Sequence, residues 1–308
     1  MNLLKCSFCR KSETFYIRSY EGVGLCHKCL KKNIEDRVRR TISKYKMLKP
    51  NDHIALAVSG GKDSLSLLTI LGKIIKRFPR SRLTAVTVDE GIAGYRDEAI
   101  RIAKNYYKEH SIKYEVISFE DLFQIKLDEL VKDKQELSPC SYCGVLRRRA
   151  INLAAKKVGA DVVATAHNLD DEVQTIMLNI VHGDVNRISR VEPVLEDPNG
   201  RFLRRIKPIC EIPEKEVALY AYESGIELQS VPCPYMATSL RNDMRSMLNR
   251  MEIKHPGTKY TIFRSTERLK AALRRYTAKT ELKNCRYCGE PTTTEICQVC
   301  KILKKTVL

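Results

Sequence analysis

The sequence has no long apolar run and no excess of acidic charge. No apolar stretch approaches the roughly 20 residues that a membrane-spanning helix needs. The first residues lead to Cys6 without the apolar segment of a secretion signal. Hydrophobic residues make up 43% of the chain and charged residues 30%, without the long polar tracts of disordered proteins. We therefore expect a folded, soluble, cytoplasmic protein with no membrane contact.

The shortage of acidic residues leaves a strong positive charge. Lys and Arg together number 55 and Asp and Glu 37, which gives a formal net charge of +18. Such a surface attracts polyanions, so nucleic acid is the favoured partner, although charge alone also fits a basic protein with no such role. The basic stretches at 37–49 and 241–283 are expected to contact RNA phosphates, with Tyr260, Phe263 and Tyr276 interleaved in the second.

Ten of the twelve cysteines stand in CxxC pairs. In a reducing compartment such pairs indicate metal ligation or redox chemistry. Two pairs at each end predict two all-cysteine zinc sites, which are structural because four thiolates leave no open coordination position. Metal binding would supply the folding energy of these short segments. The predicted zinc ligands are Cys6, Cys9, Cys26 and Cys29 in the first site, and Cys285, Cys288, Cys297 and Cys300 in the second.

Short apolar runs alternate with amphipathic stretches between the two cysteine-rich ends. The patterns predict strands at 53–58, 83–88, 114–118 and 161–166, and helices at 65–75, 145–158 and 171–181. This rhythm is typical of an α/β fold with a doubly wound, mostly parallel sheet, whose ligands bind beyond the carboxyl ends of the strands. The expected domains are an N-terminal zinc ribbon (1–32), a catalytic domain (33–240), a basic helical segment (241–280) and a C-terminal zinc ribbon (281–308).

A glycine-rich string, Ser59-Gly60-Gly61-Lys62-Asp63-Ser64, stands between the first strand and its helix. The glycines let backbone N–H groups approach an anion, while the helix N-terminus and Lys62 add positive charge. It is not a Walker A loop, because Leu56 and Asp63 stand where that loop needs Gly and Ser or Thr. The string resembles the pyrophosphatase loop (PP-loop) of enzymes that split ATP between the α- and β-phosphates.

Asp63 is either a helix cap or a ligand of Mg²⁺, since a carboxylate in a phosphate site calls for a bridging cation. Asp89, after the second strand, is expected to bond either ribose or solvent. The residues expected to line the nucleotide site are Ala57, Val58, Ser59, Gly60, Gly61, Lys62, Asp63, Ser64, Val88, Arg147 and Ala166.

A second polar string, His167-Asn168-Leu169-Asp170-Asp171-Glu172, follows the fourth strand. Acidic residues in a first helical turn explain Asp170 and Glu172, but they explain His167 and the doubled aspartate less well.

The third cysteine group consists of Cys140, Cys143 and, 90 residues after Cys143, Cys233. Three thiolates suit a 4Fe–4S cluster with one open iron that could hold sulfide. A disulfide or persulfide formed by two of the three is the alternative. Cys210, in an apolar run, is expected in the core.

Together these features resemble the TtuA/TtcA superfamily of tRNA 2-thiolation enzymes, in the members with two zinc ribbons, over nearly the whole chain. The resemblance implies bound ATP, a 4Fe–4S cluster on the three central cysteines, and a ubiquitin-like carrier protein ending in a thiocarboxylate as sulfur donor. ATP would adenylate the uracil C2 oxygen, pyrophosphate would leave beside Lys62 and Mg²⁺, and sulfide would then attack C2 and expel AMP. The residues implied to carry the reaction are Lys62, Asp63, Asp171, Cys140, Cys143 and Cys233, with Asp171 as general base or Mg²⁺ ligand.

The string Gly144-Val145-Leu146-Arg147-Arg148 resembles the Gly-Val-Phe-Arg-Arg of the branch that acts on wobble uridine 34. The branch that acts on uridine 54 has Gly-Leu-Ser/Thr-Lys-Arg instead. Uridine 34 is therefore expected, with uridine 54 as the alternative, and Arg147 is expected to touch an ATP phosphate.

Two other classes of protein stay open. Another PP-loop enzyme, such as an amidotransferase or a lysidine-type synthetase, would not need the three central cysteines. A nonenzymatic zinc-ribbon RNA-binding protein would not need Lys62 and Asp63. The sequence leaves the oligomeric state open, with a homodimer as one option.

Overall fold

A computed structural model describes residues 4–133, 136–196, 200–236, 240–276 and 282–303 of the 308-residue chain. Numbered in chain order, its strands are β1 (Tyr16–Arg18), β2 (Val23–Leu25), β3 (His53–Ala57), β4 (Arg82–Asp89), β5 (Tyr114–Ser118), β6 (Val162–Ala164), β7 (Val194–Leu195), β8 (Arg204–Ile206), β9 (Lys283–Asn284) and β10 (Pro291–Thr292). Its helices are α1 (His27–Lys44), α2 (Lys62–Ile75), α3 (Arg96–Glu109), α4 (Phe119–Phe123), α5 (Leu127–Asp133), α6 (Pro139–Lys157), α7 (Leu169–Val181), α8 (Val185–Ile188), α9 (Glu214–Glu223), α10 (Leu240–Lys254), α11 (Thr258–Tyr276) and α12 (Gln298–Ile302). None of the described helices is long and apolar enough to cross a membrane.

The central sheet has six strands in the order β5-β4-β3-β6-β8-β7. All neighbours are parallel except β7, which runs antiparallel to β8. The chain moves outward from β3 through β4 to β5 and then returns to the other side of β3 at β6. This confirms the predicted doubly wound, mostly parallel sheet. The strand order reverses between β3 and β6, and ligands of such sheets bind at the carboxyl ends of the strands at that point.

The sheet is buried on both faces, which explains the unbroken apolar runs of its central strands. Successive side chains of β3 point to opposite faces: Ile54 and Leu56 pack into one hydrophobic cluster and Ala55 into another. The first cluster contains the apolar sides of α1, α2, α7 and α9, together with the buried thiol of Cys210, as predicted. The second contains α6 and residues of α5 and α12.

The predicted helix at 145–158 begins earlier than expected. Ser138 caps α6 by accepting a hydrogen bond from the backbone N–H of Ser141, and Pro139 occupies the start of the helix, where its missing N–H costs nothing. Cys140 and Cys143 therefore lie within the first turns of α6 and not in a loop before it. The sequence pattern missed this start because a CxxC string has no apolar periodicity.

Within the first basic stretch, residues 45–49 lie beyond the end of helix α1. Helix α1 ends at Lys44, and Lys46 adopts a left-handed conformation with φ of +48°, which no helix continues through. The same helix runs across the expected domain boundary between residues 32 and 33. The N-terminal cysteine-rich segment is thus continuous with the helical layer of the sheet.

The two terminal segments dock on different helices. In the first, the buried Arg18 contacts Glu216 of α9 through two hydrogen bonds of 2.8 Å. In the second, Glu290 pairs with Arg149 and, at 3.3 Å, with Lys156, both on α6. Each segment is therefore anchored by an ion pair to the layer that it covers.

The sulfurs of each terminal cysteine group lie close enough for one metal ion. In both groups all four ligand atoms are within 4.8 Å of one another. The Sγ atoms of Cys9 and Cys26 are 3.9 Å apart, and those of Cys288 and Cys297 are 3.7 Å apart. A tetrahedral zinc with Zn–S bonds of about 2.3 Å holds its sulfurs roughly 3.8 Å apart. The geometry of both groups therefore fits the predicted zinc sites.

Removing one zinc ligand should remove one zinc. We expect Cys6→Ser and Cys285→Ser each to retain about one zinc per chain by elemental analysis, because three thiolates bind the ion far less well than four. The melting temperature should fall by at least about 4 °C, since a loss of roughly 2 kcal/mol shifts it by that much in a chain of this size.

The control is Cys210→Ala, which removes a buried thiol that belongs to no cysteine group and should leave zinc content unchanged. Two zinc ions per chain in the Cys6→Ser variant would contradict the assignment of the first site.

Candidate nucleotide and cysteine site

Residues 59–64 form the turn between β3 and α2. Strand β3 ends at Ala57, Gly61 is the N-cap of α2, and no side chain caps this helix end. An uncapped helix N-terminus presents backbone N–H groups and a partial positive charge to an anion. Because Gly61 occupies the cap position, the alternative that Asp63 serves as helix cap is wrong.

Gly60 fixes how the turn packs against the protein. Its φ is +88°, and a Cβ at this position would lie 2.2 Å from the carbonyl oxygen of Ala99 in α3. Only glycine fits such a backbone conformation and such a close approach. A Cβ on Gly61 would meet only the Ser59 hydroxyl oxygen at 3.5 Å, which is an ordinary contact. The loop is thus closed against α3 at Gly60 and open at Gly61.

Lys62 is held between two carboxylates. Its Nζ lies 3.1 Å from Oδ2 of Asp63 and 2.9 Å from Oε1 of Glu214, the first residue of α9. Burial alone would lower the pKa of Lys62, but these two carboxylates outweigh that effect and raise it. Glu214 was missed by sequence reasoning, because an acidic residue in a first helical turn carries no signal that it meets a loop 150 residues away.

Asp63 and Asp171 are the buried carboxylates of the site. Burial raises the pKa of Asp63 to about 6 in spite of Lys62, and the charge of Asp171 raises it further. Burial also raises the pKa of Asp171, whose Oδ2 accepts a hydrogen bond of 3.1 Å from the backbone N–H of Asn168. Oδ1 of Asp63 is buried without a hydrogen-bond partner among the described residues. This unpaired oxygen near a second carboxylate fits a Mg²⁺ ion shared with phosphate oxygens.

A cavity of about 220 Å³ opens beside the loop, at the carboxyl ends of β3, β4 and β6. Eight of the predicted nucleotide-site residues line it, namely Ala57, Val58, Ser59, Asp63, Ser64, Val88, Arg147 and Ala166. Lys62 instead faces a neighbouring cavity of about 510 Å³, which it shares with Glu214. Asp89 lines neither cavity and accepts a hydrogen bond of 2.9 Å from the backbone N–H of Gly91.

His167 lines the same cavity as the nucleotide-site residues. Its Nδ1 lies 2.9 Å from the Thr165 hydroxyl oxygen. Desolvation by the surrounding protein and the charge of Lys207 lower the pKa of His167. The ring is therefore neutral at neutral pH even though it is exposed to solvent at the cavity.

The three central cysteines meet on the cavity's side of α6. The Sγ of Cys140 lies 3.6 Å from the carbonyl oxygen of Tyr235, two residues beyond Cys233. Burial raises the pKa of Cys143 to about 11, and the charges of Cys140 and Cys233 act in the same direction. Among the described residues, these sulfurs do not form a group as tight as the zinc groups. Three thiols are the donor set of a 4Fe–4S cluster with one open iron, and the cluster on these cysteines stays a prediction.

Arg147 connects the cysteines with the cavity. It lines the cavity, its Nη2 donates a hydrogen bond of 3.1 Å to Sγ of Cys143, and its Nε lies 2.5 Å from Oε1 of Glu90. The expected contact with an ATP phosphate stays a prediction. Glu90 follows directly on Asp89, and sequence reasoning missed it, because the end of a strand does not reveal which side chain turns inward.

The basic segments differ from expectation. Phe263 is buried in the hydrophobic core, and the hydroxyl of Tyr260 donates to the carbonyl oxygen of Glu211 at 2.9 Å. Arg37 is engaged with Glu216 and with Tyr20. Phe263 therefore supports the fold, and the expectation that it faces RNA is wrong. Arg37 and Tyr260 are partly buried, and their contact with RNA stays a prediction. Tyr276 is strongly exposed.

A doubly wound sheet with this loop at its switch point defines a nucleotide-binding protein of the PP-loop class. A family model described as PP-loop domain matches residues 30–252. A "Probable sulfurtransferase" of Methanocaldococcus jannaschii is 40% identical over 96% of this chain and 86% of its own length. The tRNA-5-methyluridine(54) 2-sulfurtransferase of Pyrococcus horikoshii is 33% identical over 99% and 96%.

The solved structure of the U34-tRNA thiolase NcsA from Methanococcus maripaludis, with its 4Fe–4S cluster, is also similar. It is 36% identical, covers 99% of this chain and 97% of its own, and superposes with a TM-score of 0.85. The chain belongs to the PP-loop family of tRNA 2-thiolation proteins. The resemblance drawn from the sequence motifs is thereby confirmed.

Substituting Ala for Gly60 or for Gly61 adds one methyl group at each position and tests whether only Gly60 requires glycine. Gly60→Ala should lose most affinity for a nonhydrolysable ATP analogue and melt at a lower temperature, because the left-handed conformation costs about 1–2 kcal/mol and the Cβ collides with Ala99. Calorimetric titration and thermal unfolding measure the two effects.

Gly61→Ala adds the same methyl where there is room and should keep the wild-type melting temperature. Equal melting temperatures for the two variants would show that Gly60 does not fix the loop.

Proposed function

We propose that this protein is an ATP-dependent tRNA 2-sulfurtransferase that replaces the C2 oxygen of wobble uridine 34 with sulfur. The observation that carries the proposal is that the nucleotide cavity and the three central cysteines share one edge of the sheet. Arg147 belongs to both, since it lines the cavity and donates to Cys143. A base activated in the cavity would therefore be within reach of a sulfur held at the cysteines.

The loop and its carboxylates suit the activation step. The uracil C2 oxygen attacks the α-phosphorus of ATP, a P–O bond forms, and pyrophosphate leaves. Lys62 and the N-terminus of α2 stabilise the charge that develops on the departing phosphates. Asp63 and Asp171 would hold Mg²⁺, which neutralises phosphate charge when bound.

The cysteines suit the transfer step. Cys140, Cys143 and Cys233 would hold a 4Fe–4S cluster, and a cluster with three protein ligands supplies an open iron position for sulfide. Sulfur then forms a bond to C2, the C2–O bond breaks, and AMP leaves with the oxygen. Arg147 offers the AMP phosphate a positive charge that Glu90 keeps in place. The ring of His167, neutral at neutral pH, adds a hydrogen-bonding group without charge.

A cluster of arginines beside the cysteine helix supports a polyanionic substrate. Desolvation, together with the charges of Arg187 and Arg147, lowers the pKa of Arg148. Desolvation and the charge of Arg148 likewise lower the pKa of Arg205. Like charges gathered in this way repel one another until an anion binds between them, and RNA phosphates would relieve that repulsion.

Position 34 is supported by the sequence after Cys143. Gly144 to Arg148 resembles the wobble branch, in which an arginine replaces the lysine of the uridine 54 branch. Uridine 54 is the second candidate, because the relative that acts there is similar over nearly the whole chain. The thiocarboxylated carrier protein, the cytoplasmic location, a homodimer and the two structural zinc ions stay predictions of the same proposal.

The proposal separates two kinds of variant. Cys140→Ala, Cys143→Ala and Cys233→Ala should each fail to bind about four irons per chain on anaerobic reconstitution and should form no 2-thiouridine, while still binding an ATP analogue. Lys62→Ala should keep its iron and also form no 2-thiouridine, because it removes the charge offered to the phosphates, while the ion pairs of Lys62 are with Asp63 and Glu214 and not with the cysteines.

Mass spectrometry of nuclease fragments locates the sulfur in the tRNA. Sulfur at uridine 54 would refute the wobble assignment. Full iron content in Cys233→Ala would refute the three-cysteine cluster and favour a persulfide on Cys140 or Cys143.

A further inference from the structure

Glu90 is a buried carboxylate at the carboxyl end of β4, with an exposed fraction of 2%. Its Oε2 lies 2.6 Å from Nε of Arg96, and its Oε1 lies 2.5 Å from Nε of Arg147. A charge removed from water in this way needs cations beside it. Glu90 has one on each side, and the two cations belong to different helices, α3 and α6.

Arg96 connects Glu90 with the residues that line the nucleotide cavity. It is as buried as Glu90, and its guanidinium donates to the carbonyl oxygens of Ser59 at 2.8 Å and of Val88 at 2.6 Å. Both of these residues line the cavity at the loop. The Nη groups of Arg96 thus donate to the backbone beside the loop while its guanidinium forms an ion pair with Glu90, so Arg96 links the carboxylate to the phosphate-binding loop.

Arg147 connects Glu90 with Cys143. A guanidinium has five N–H donors. Nε of Arg147 forms an ion pair with Oε1 of Glu90 at 2.5 Å, and Nη2 donates a hydrogen bond to the sulfur of Cys143, while the side chain also lines the cavity. The remaining donors are available to an anion in the cavity. The Arg147 side chain therefore faces the cysteines and the nucleotide cavity at the same time, and its ion pair with Glu90 fixes its position.

We propose that Glu90 is a positioning residue that holds Arg147 between the cysteine group and the nucleotide cavity, so that iron bound at the cysteines tightens nucleotide binding. The inference rests on the proposed function, because it requires both ligands. A cysteine that binds iron is a thiolate, so the acceptor of the hydrogen bond from Nη2 of Arg147 also carries charge and the bond becomes stronger. The guanidinium is then fixed at two points, and its free donors are oriented before the phosphate arrives, which removes part of the ordering cost of binding.

A purely structural role for Glu90 makes a different prediction. If the carboxylate only neutralised two arginines, its loss would lower stability and change nucleotide affinity equally with and without iron. The ratio of the nucleotide affinity with iron to the nucleotide affinity without iron separates a structural role of Glu90 from a positioning role. Thermodynamic reciprocity requires that nucleotide tighten iron binding by the same factor.

The experiment titrates a nonhydrolysable ATP analogue with Mg²⁺ into the full chain, iron-free and anaerobically reconstituted, by calorimetry. We expect the wild type to bind the analogue about fivefold or more tightly when it carries iron, the lower end of common coupling energies. Glu90→Gln should bring this ratio to within about twofold of one. Glu115→Gln, which removes a glutamate paired with Lys157 away from both sites, is the matched control and should keep the wild-type ratio.

Arg147→Gln decides the question if Glu90→Gln does not fold. Loss of Glu90 leaves two arginines unpaired, whereas loss of Arg147 leaves the neutral pair of Glu90 and Arg96 intact. Arg147→Gln should also lose the ratio.

A wild-type ratio of one or below, or a wild-type ratio kept in either folded variant, would overturn the inference and leave the proposed function standing. A wild type that binds nucleotide but takes up no iron would instead overturn the proposed function, and the inference with it.

Discussion

Burial of a carboxylate is stable only where cations from elsewhere in the chain neutralise it, and three of the buried carboxylates link separate elements around the nucleotide loop. Each pairs with cations that lie on other helices or on the N-terminal segment. The pairs are Glu90 with Arg96 and Arg147, Asp170 with Lys259 of α11, and Glu216 with Arg18 of the N-terminal segment and Arg37 of α1. The N-terminal cysteine-rich segment, helix α11 and helix α6 are thereby linked to the elements around the loop.

Helix α9 connects the N-terminal segment with the glycine-rich loop. Glu216 forms an ion pair with Arg18 of the N-terminal segment. Glu214, the first residue of the same helix, forms an ion pair with Lys62 of the loop at 2.9 Å. The backbone N–H of Glu214 also donates to Asp170 at 2.8 Å, which links the pair to α11. The position of Lys62 therefore depends on contacts between α9 and the N-terminal segment, which contributes no residue to the cavity of about 220 Å³ beside the loop.

The sheet, the loop, the cysteine groups and the candidate nucleotide residues could be predicted because each is encoded in contiguous residues with their own pattern. Gly60 and Lys62 could be identified from the spacing of the glycine-rich string alone. Glu90 and Glu214 could not be predicted, since their roles depend on which distant arginine or lysine the fold brings to them. The same limit applies to Phe263, because the basic composition of its segment does not reveal that this side chain packs into the core.

The central claim is that one edge of the sheet activates a uridine with ATP and supplies its sulfur. It is tested most directly by incubating reconstituted protein with tRNA, ATP and a sulfide source, and measuring adenine nucleotide products together with 2-thiouridine. The account predicts AMP and pyrophosphate in equal amounts with 2-thiouridine at position 34. Formation of ADP and phosphate, or AMP formed without thiolated tRNA, would contradict it.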